Sequence, residues 1–415
     1  MDEVRKTCRS CGSTAMQPVL SFGEVPLADA LPDRASVAAG EARHALSVVF
    51  CESCYLFQIR ETVPPETLYG RDYPYYSSVS DYLLQHSRAN ALSLIESRGL
   101  GEQSLVVELA SNDGYLLKNF TERRIPVLGI DPAAGPAKVA DDAGIPTLCE
   151  YFGIDLARRL RSEGVAADVI IGNNVMGHVA DLNGFVAGMA HLLRDDGVVV
   201  IESPYVRDLI DGCEFDTIYH EHHCYFSVSS VRSLFARHGL TLSDVQHYPI
   251  HGGSLRYFGT KTGAVSDNVR RYLEEEEAAG LTRFDYYRDF ADRVEGVKAR
   301  LMTLLRDLKG TGKTIAAYGA AAKGATLLNV TGADDRLIDF VVDRSKHKQG
   351  LFMPGVRIPI REPEELVSQM PDYALILAWN FKDEIMRQQA EYARRGGKWI
   401  VPIPEPAIIT TPAVS

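Results

Sequence analysis

Positive charge is in short supply along this chain. Its 44 lysines and arginines are outnumbered by 55 acids, leaving a formal net charge of −11 and a pI near 5.5. A polyphosphate backbone is held by clustered Lys and Arg, so nucleic acid is not an expected partner. Long apolar runs are missing as well. No segment approaches the roughly 18 to 20 apolar residues of a membrane span, and MDEVRKTCRSCG at the start carries charges with no apolar stretch behind them. A cytoplasmic protein with no membrane partner is the expectation. Low-complexity tracts are absent, and with 46% hydrophobic residues disorder is not the default. A strict GxGxxG is absent too, which speaks against a dinucleotide, because a pyrophosphate needs close backbone approach at a helix N-terminus.

What is present is concentrated. The 415 residues exceed one ordinary domain, so two or three units are expected. Of seven cysteines, four are patterned: Cys8 and Cys11 in TCRSCG, Cys51 and Cys54 in FCESCYL. Two CxxC pairs a few tens of residues apart match a four-thiolate tetrahedral zinc site, each knuckle turning two sulfurs toward one point. Disulfides would not persist in a reducing compartment, and a unit with so small a core needs the metal to hold it. With four protein ligands the zinc has no open position, so its role is structural. HALSVVFC reads as a strand leading into the second knuckle. Next comes YGRDYPYYSSVSDYLLQHS, where Tyr69, Tyr73, Tyr75 and Tyr76 surround a proline ahead of a helical pattern from about Ser80 to Arg98. This cluster reads as inter-domain packing or as a lid over a ligand.

The middle of the chain alternates strands and helices. SLVVELASNDGYLLKNF is a buried strand, a polar turn and a helix, and VLGIDP is a second strand closing on Asp131. The distance from Glu108 to Asp131 suits one βαβ unit whose terminal acid binds ribose hydroxyls. DVIIGNNVMGHV and LNGFVAGMAHLLRDDGVVVIESP continue the alternation, which predicts a doubly wound parallel sheet. An acid-rich turn suits S-adenosylmethionine, which carries a sulfonium, an ammonium and no phosphate. Downstream, two charged amphipathic helices with EEEE as a solvated face join this unit to the next. TIAAYGAAAKGATLLN, IDFVVDRS, PDYALILAWN and KWIVPIP then predict a second Rossmann-like sheet. There YGAAAKG is either a turn of a scaffold with no ligand or meets a phosphate through backbone N–H groups with Lys323 supplying charge, while Asp343 and Asn380 sit at strand ends suited to a nucleotide.

ELASNDG resembles the first motif of Rossmann-like methyltransferases, and in particular the EIGxNDG form of the sugar C-methyltransferases of deoxysugar biosynthesis, with Ala110 in place of a glycine. The resemblance runs through nearly the whole chain in order: the CxxC pairs, YPYxSS, NDG, the loop at His178, Y-x-E-H, HGGxxR from His251 to Arg256, and YGAxAK. It implies a zinc-binding unit over residues 1–70, an S-adenosylmethionine-binding methyltransferase domain over 71–265, a helical connection over 266–310 and a nucleotide-sugar-binding α/β domain over 311–415. It also implies that Glu108, Ala110, Asn112 and Asp113 lie by the methionine part of the cofactor, that Asp131 holds its ribose and Phe152 walls its adenine, and that Asn173 and Asn174 open toward the sulfonium. Tyr76 joins the catalytic set and Tyr75 the substrate contacts.

The stretch IYHEHHCYFS holds three of the chain's eleven histidines. If extended, it places Tyr219, Glu221 and His223 on one face and His220 and His222 on the other. A zinc pair wants HExxH on a helix, which is not present. His220 and His223 read as ordinary buried or surface histidines, while the family element Y-x-E-H falls on Tyr219, Glu221 and His222. Forming a carbon–carbon bond from a sulfonium methyl demands an enolate, hence a base beside a ketone. His222 is the candidate base, Glu221 its orienting partner, Tyr219 a donor to the enolate oxygen, and His178 a second candidate to polarise the ketone or relay the proton. The resemblance implies C-methylation of a nucleotide-linked ketodeoxysugar, dTDP-linked by expectation, with inversion at the methyl. Such sugars decorate antibiotics, other secondary metabolites or surface glycans. O- or N-methylation of a small molecule stays open, as does an NAD-dependent sugar-nucleotide oxidoreductase. A monomer is the working expectation, with no residue pattern that sets the oligomeric state.

Overall fold

The computed structural model describes residues 3–68 and 76–410; Tyr69, Tyr73 and Tyr75 lie outside the described residues. Among the described residues no helix is long and apolar enough to cross a membrane.

The N-terminal unit is an antiparallel sheet of Met16–Val25, His44–Cys51 and Phe57–Ile59. Cys51 and Cys54 occupy the turn between the second and third of these strands, and the Cys8 knuckle precedes the first. A fourth strand, Cys224–Tyr225, comes from the far end of the histidine stretch and pairs antiparallel with Phe57–Ile59, Cys224 opposite Gln58. Ile59 donates its N–H to the His223 carbonyl at 3.0 Å. The thiol unit and the histidine stretch therefore share one sheet.

The central sheet has seven strands. In spatial order they are Thr241–Tyr248, Ser254–Thr260, Leu193–Pro204, Ala167–Asn173, Val106–Leu109, Val127–Ile130 and Thr147–Leu148. In chain order this is 6-7-5-4-1-2-3. The first five run parallel and the seventh antiparallel. Val106–Leu109 is buried at every position, as a parallel strand covered on both faces must be. Chain direction reverses across the sheet between Val106–Leu109 and Ala167–Asn173, which puts the ligand crevice at the carboxyl ends of those two strands.

Two helices, Asp267–Ala279 and Phe290–Gly310, lead out of this domain. Here the solvated-face reading of EEEE fails at one position, because Glu276 is fully buried. Its carboxylate accepts from the N–H groups of Val228 and Ser229, at 2.7 and 2.8 Å, and from the Tyr205 hydroxyl at 3.0 Å. Those N–H groups belong to the first turn of helix Val228–Arg237, where no intrahelical acceptor exists, and Ser227 caps the next at Ser230. An anion at a helix N-terminus is favourable, and three donors offset the cost of burying it. Glu276→Ala is expected to lower stability by roughly 2–4 kcal/mol, since three buried donors lose their acceptor, whereas Glu275→Ala on the same helix changes it by less than about 0.5 kcal/mol. Chemical denaturation of the two variants side by side checks this.

The C-terminal sheet orders Ile360–Arg361, Val341–Val342, Ile315–Tyr318, Tyr373–Ile376, Lys398–Val401 and Ala407–Ile409, all parallel except the last. It carries two strands that the sequence patterns did not reveal, Ile360–Arg361 and Ala407–Ile409, each too short for a period-2 signal.

Candidate active site

The four cysteine sulfurs lie within 4.8 Å of one another. Cys8 and Cys54 are 3.5 Å apart, Cys11 and Cys51 3.6 Å. Tetrahedral bonds of about 2.3 Å put sulfurs about 3.8 Å apart, so the set fits zinc. The Gln58 amide donates to Cys8 Sγ at 3.1 Å, a contact suited to a thiolate.

At the crevice, the turn after Val106–Leu109 is tightly wound. Ala110 and Asn112 both adopt positive φ, 55° and 51°. A Cβ in that region costs roughly 1–2 kcal/mol, so the turn holds Ala110 in a conformation that glycine would adopt without that cost. Asp131, at the end of Val127–Ile130, accepts from the N–H of Asn112 and of Ala133, each at 2.8 Å, and so braces the turn. Ser77 and Ser78 close over it, donating to Asn112 Oδ1 at 2.8 Å and Asp113 Oδ2 at 3.2 Å. Burial, then the charges of Asp131 and Asp113, push the Glu108 carboxyl well above its ordinary range. Glu108 Oε2, Asp113 Oδ1, both polar atoms of Asn173 and Asn174 Oδ1 are buried with no hydrogen-bond partner among the described residues. Polar atoms concentrated this way at strand ends fit a polar, cationic ligand such as S-adenosylmethionine. Phe152 packs edge-on against Phe185 at 5.5 Å.

Beside this crevice the histidine stretch is a tight turn. The extended alternative with alternating faces is not the one adopted: the His222 N–H donates to the Tyr219 carbonyl at 2.9 Å, which brings residues three apart together. The Tyr219 and His222 rings are 3.9 Å apart, and His178 stands edge-on to His222 at 4.6 Å. His222 Nδ1 lies 2.7 Å from the Thr217 carbonyl. A carbonyl can only accept, so Nδ1 carries the hydrogen and Nε2 keeps a lone pair. Burial, then His178, hold the His222 imidazole well below its ordinary pKa, and burial lowers His178 to about 4. Both are neutral at pH 7.

His220 and His223 turn the other way, toward the thiol unit: His220 Nε2 donates to the Ala45 carbonyl at 3.1 Å and faces His44 edge-on at 5.7 Å, and His223 is buried. Glu221 is also buried, with burial and then Asp29 pushing its carboxyl well above the usual range while Lys348 opposes. The group that orients His222 is the Thr217 carbonyl; a turn sends Glu221 toward the junction of the thiol unit and the C-terminal domain instead. Tyr76 stacks on His347 at 5.5 Å, and Tyr75 lies outside the described residues.

From the C-terminal domain, Lys323 stands over the Trp379 ring at 4.5 Å. Burial lowers its pKa, while Asp216 and Glu214 oppose this. Asp343 spends both oxygens on backbone, accepting from Ala320 at 2.7 Å and Ser345 at 2.8 Å. The Gly319 N–H likewise goes to Val342, so two N–H groups of YGAAAKG are used within the domain. Asn380 Oδ1 is buried with no partner among the described residues.

Several groups escaped the motif reading. Burial raises Asp216 to about 6 and Glu214 to about 8, with Lys323 opposing in both. Gly252 and Gly253 have positive φ, and a Cβ there would run into the carboxylates of Glu214 and Asp208, which explains the paired glycines of HGGxxR. Arg256 of that motif donates to Glu202 at 2.7 Å, with His86 2.8 Å from the same carboxylate. The acids in CEFDTIY were the available signal for Glu214 and Asp216, but their partners are remote in sequence.

Three family models match the chain in succession: a zinc binding domain over residues 8–69, a methyltransferase domain over 82–245 and a C-methyltransferase C-terminal domain over 249–404. The chain is 38% identical over 406 residues to C-methyltransferase NovU of Streptomyces niveus, covering 97% of this chain and 96% of that protein. It is 26% identical over 129 residues to a ubiquinone biosynthesis O-methyltransferase of Azorhizobium caulinodans, 30% of this chain and 48% of that one. Among solved structures, magnesium protoporphyrin IX methyltransferase from Synechocystis PCC 6803 with bound SAH aligns over 44% of this chain and 89% of that chain, at 14% identity and a TM-score of 0.36, too low to bear on function. With three domain models in register and a C-methyltransferase related over nearly its full length, the chain belongs to the S-adenosylmethionine-dependent sugar C-methyltransferase family.

Proposed function

We propose that this protein methylates a carbon of a nucleotide-linked 4-keto-deoxysugar, dTDP-linked in the first instance, and that His222 takes the proton alpha to the ketone. The observation that carries the reading is the Nδ1–H bond from His222 to the Thr217 carbonyl at 2.7 Å, which leaves Nε2 as a neutral base in a buried turn. When bound, S-adenosylmethionine supplies an electrophilic methyl. The chain supplies the rest. His222 Nε2 accepts the carbon-bound proton, and the carbonyl oxygen gains charge as the enolate forms. His178 and Tyr219, whose rings flank His222, are the donors to that oxygen. Glu108, Ala110, Asn112, Asp113, Asp131, Phe152, Asn173 and Asn174 form the cofactor side, and Tyr76 joins the catalytic set. Lys323 and Asn380 face the substrate from the C-terminal domain, with Asp343 bracing their loop; Tyr75, assigned to the substrate by the resemblance, lies outside the described residues. The zinc is structural, and four thiols suit a reducing cytoplasm.

The test is mass spectrometry of dTDP-4-keto-deoxysugars incubated in D2O with the enzyme and either S-adenosylmethionine or its demethylated product. The expected result is carbon-bound deuterium uptake that requires His222, and a product heavier by one methylene when the methyl donor is present. Methylation with no loss of carbon-bound hydrogen would assign the transfer to oxygen or nitrogen instead.

A further inference from the structure

The mechanism above leaves the inter-domain contact of Trp379 unused. Trp379 opens the turn Trp379–Phe381, just beyond the C-terminal strand Tyr373–Ile376. Its indole Nε1–H donates to Asp216 Oδ2 at 2.7 Å, across 163 residues of sequence. Both side chains are buried, Asp216 completely. Asp216 sits in the turn Phe215–Thr217, and the next residue is Thr217, whose carbonyl holds His222 Nδ1. Helix Ala322–Thr331 packs on this turn, and its Lys323 ammonium lies over the same indole. The other Asp216 oxygen has no hydrogen-bond partner among the described residues; the Lys323 charge and the backbone N–H groups of Asp216 and Thr217 also favour the carboxylate, and the indole N–H is the side-chain donor that ties it to the C-terminal domain.

We propose that Trp379 and Asp216 are positioning residues for His222, forming an inter-domain clamp through which the C-terminal domain sets the tautomer of the base. A buried carboxylate that loses its one side-chain hydrogen-bond donor is destabilised, so loss of the indole N–H moves the Phe215–Thr217 turn and with it the Thr217 carbonyl. Which imidazole nitrogen carries the hydrogen is decided by the bond the other makes. Without the carbonyl in place the Nε2–H form becomes populated, and that form has no lone pair to offer the substrate. The clamp lies beside Lys323, on the side where the nucleotide part of the substrate is proposed to bind, so occupancy of the C-terminal domain and readiness of the base are mechanically linked. The inference rests on the assignment of His222 as base.

Three variants of the full chain test it: Trp379→Phe, which keeps an aromatic face for Lys323 but removes the donor; Asp216→Ala, which removes the acceptor; and Asp216→Asn, whose amide oxygen still accepts from the indole. The primary readout is 15N NMR of ring-labelled histidine, with the His222 signals assigned by their loss in His222→Asn. Wild type and Asp216→Asn are expected to show the Nδ1–H tautomer, with Trp379→Phe and Asp216→Ala gaining Nε2–H. In parallel, kcat should fall about 10- to 100-fold in the latter two, a part of the roughly 10²–10⁴ that a general base contributes, with KM for S-adenosylmethionine unchanged and Asp216→Asn near wild type. An unmoved tautomer in Trp379→Phe overturns the clamp, and so does equal damage from Asp216→Asn and Asp216→Ala. Should Trp379→Phe fail to fold, the two Asp216 variants decide the matter between them. If His222→Asn retains turnover, the base assignment falls, yet the tautomer readout still judges the clamp.

Discussion

His222→Asn is expected to lower kcat by about 10²–10⁴-fold, or roughly 3–5 kcal/mol in the barrier, while S-adenosylmethionine binding measured by calorimetry stays within a few-fold. The variant keeps a side chain near the Thr217 carbonyl but loses the lone pair at Nε2, so deuterium exchange into the ketosugar should disappear along with methyl transfer. The effect is confined to chemistry because the unpartnered polar atoms of the crevice, on Glu108, Asp113, Asn173 and Asn174, lie at or just beyond the ends of Val106–Leu109 and Ala167–Asn173 and not in the histidine turn. The pH dependence follows from the same environment. Burial and His178 hold His222 well below its ordinary pKa, so its neutral, basic form persists as pH falls, and the acid limb of kcat/KM should lie below pH 6.5. A limb at or above 6.5 would mean that a more exposed group is the base. Near wild-type turnover in His222→Asn, with abolition in His178→Asn, would exchange the two roles.

Removal of the metal is expected to have the second large effect. Structural zinc in small modules contributes apparent binding energies of about 10–16 kcal/mol, comparable with the whole stability of a domain. The thiol unit should therefore unfold when zinc is stripped. The consequence reaches the histidine turn through hydrogen bonds already described. Phe57–Ile59 pairs with Cys224–Tyr225, Ile59 holds the His223 carbonyl, and Gln58 ties that strand to Cys8. Phe57 also packs edge-on against Tyr225 at 5.6 Å. Losing this sheet frees the segment that carries Tyr219 and His222. Protein made metal-free by chelation, verified by elemental analysis, should lose nearly all turnover yet still bind S-adenosylmethionine, since the sheet from Val106 to Thr260 is separate from the thiols. Zinc restores it on dialysis. Full activity in verified metal-free protein would show that the unit folds without zinc, and Cys51→Ser provides an independent check.

Much of this molecule was legible along the chain because the relevant signals are carried by neighbouring residues. The CxxC spacing announces a thiolate site since each knuckle is a local turn. VVEL, VLGI and DVIIGN read as buried strands because a doubly covered strand must be apolar throughout, and Asp131 declares itself by closing one of them. The histidine segment was only half legible. Its composition marked it, but whether IYHEHH runs extended or turns depends on a hydrogen bond from His222 to Tyr219 and on where Cys224 finds a strand to join, more than 160 residues upstream. Glu276 shows the same limit: it reads as one of four surface acids until helix Val228–Arg237 presents its free N–H groups to it. Asp216 acquires its importance from Trp379 in another domain. The residues, their spacing and the alternation of strands and helices thus determined the fold class and the chemistry on offer. Only the tertiary structure decided which carbonyl orients His222 and which acids are buried, because hydrogen bonds between distant segments leave no period in the sequence.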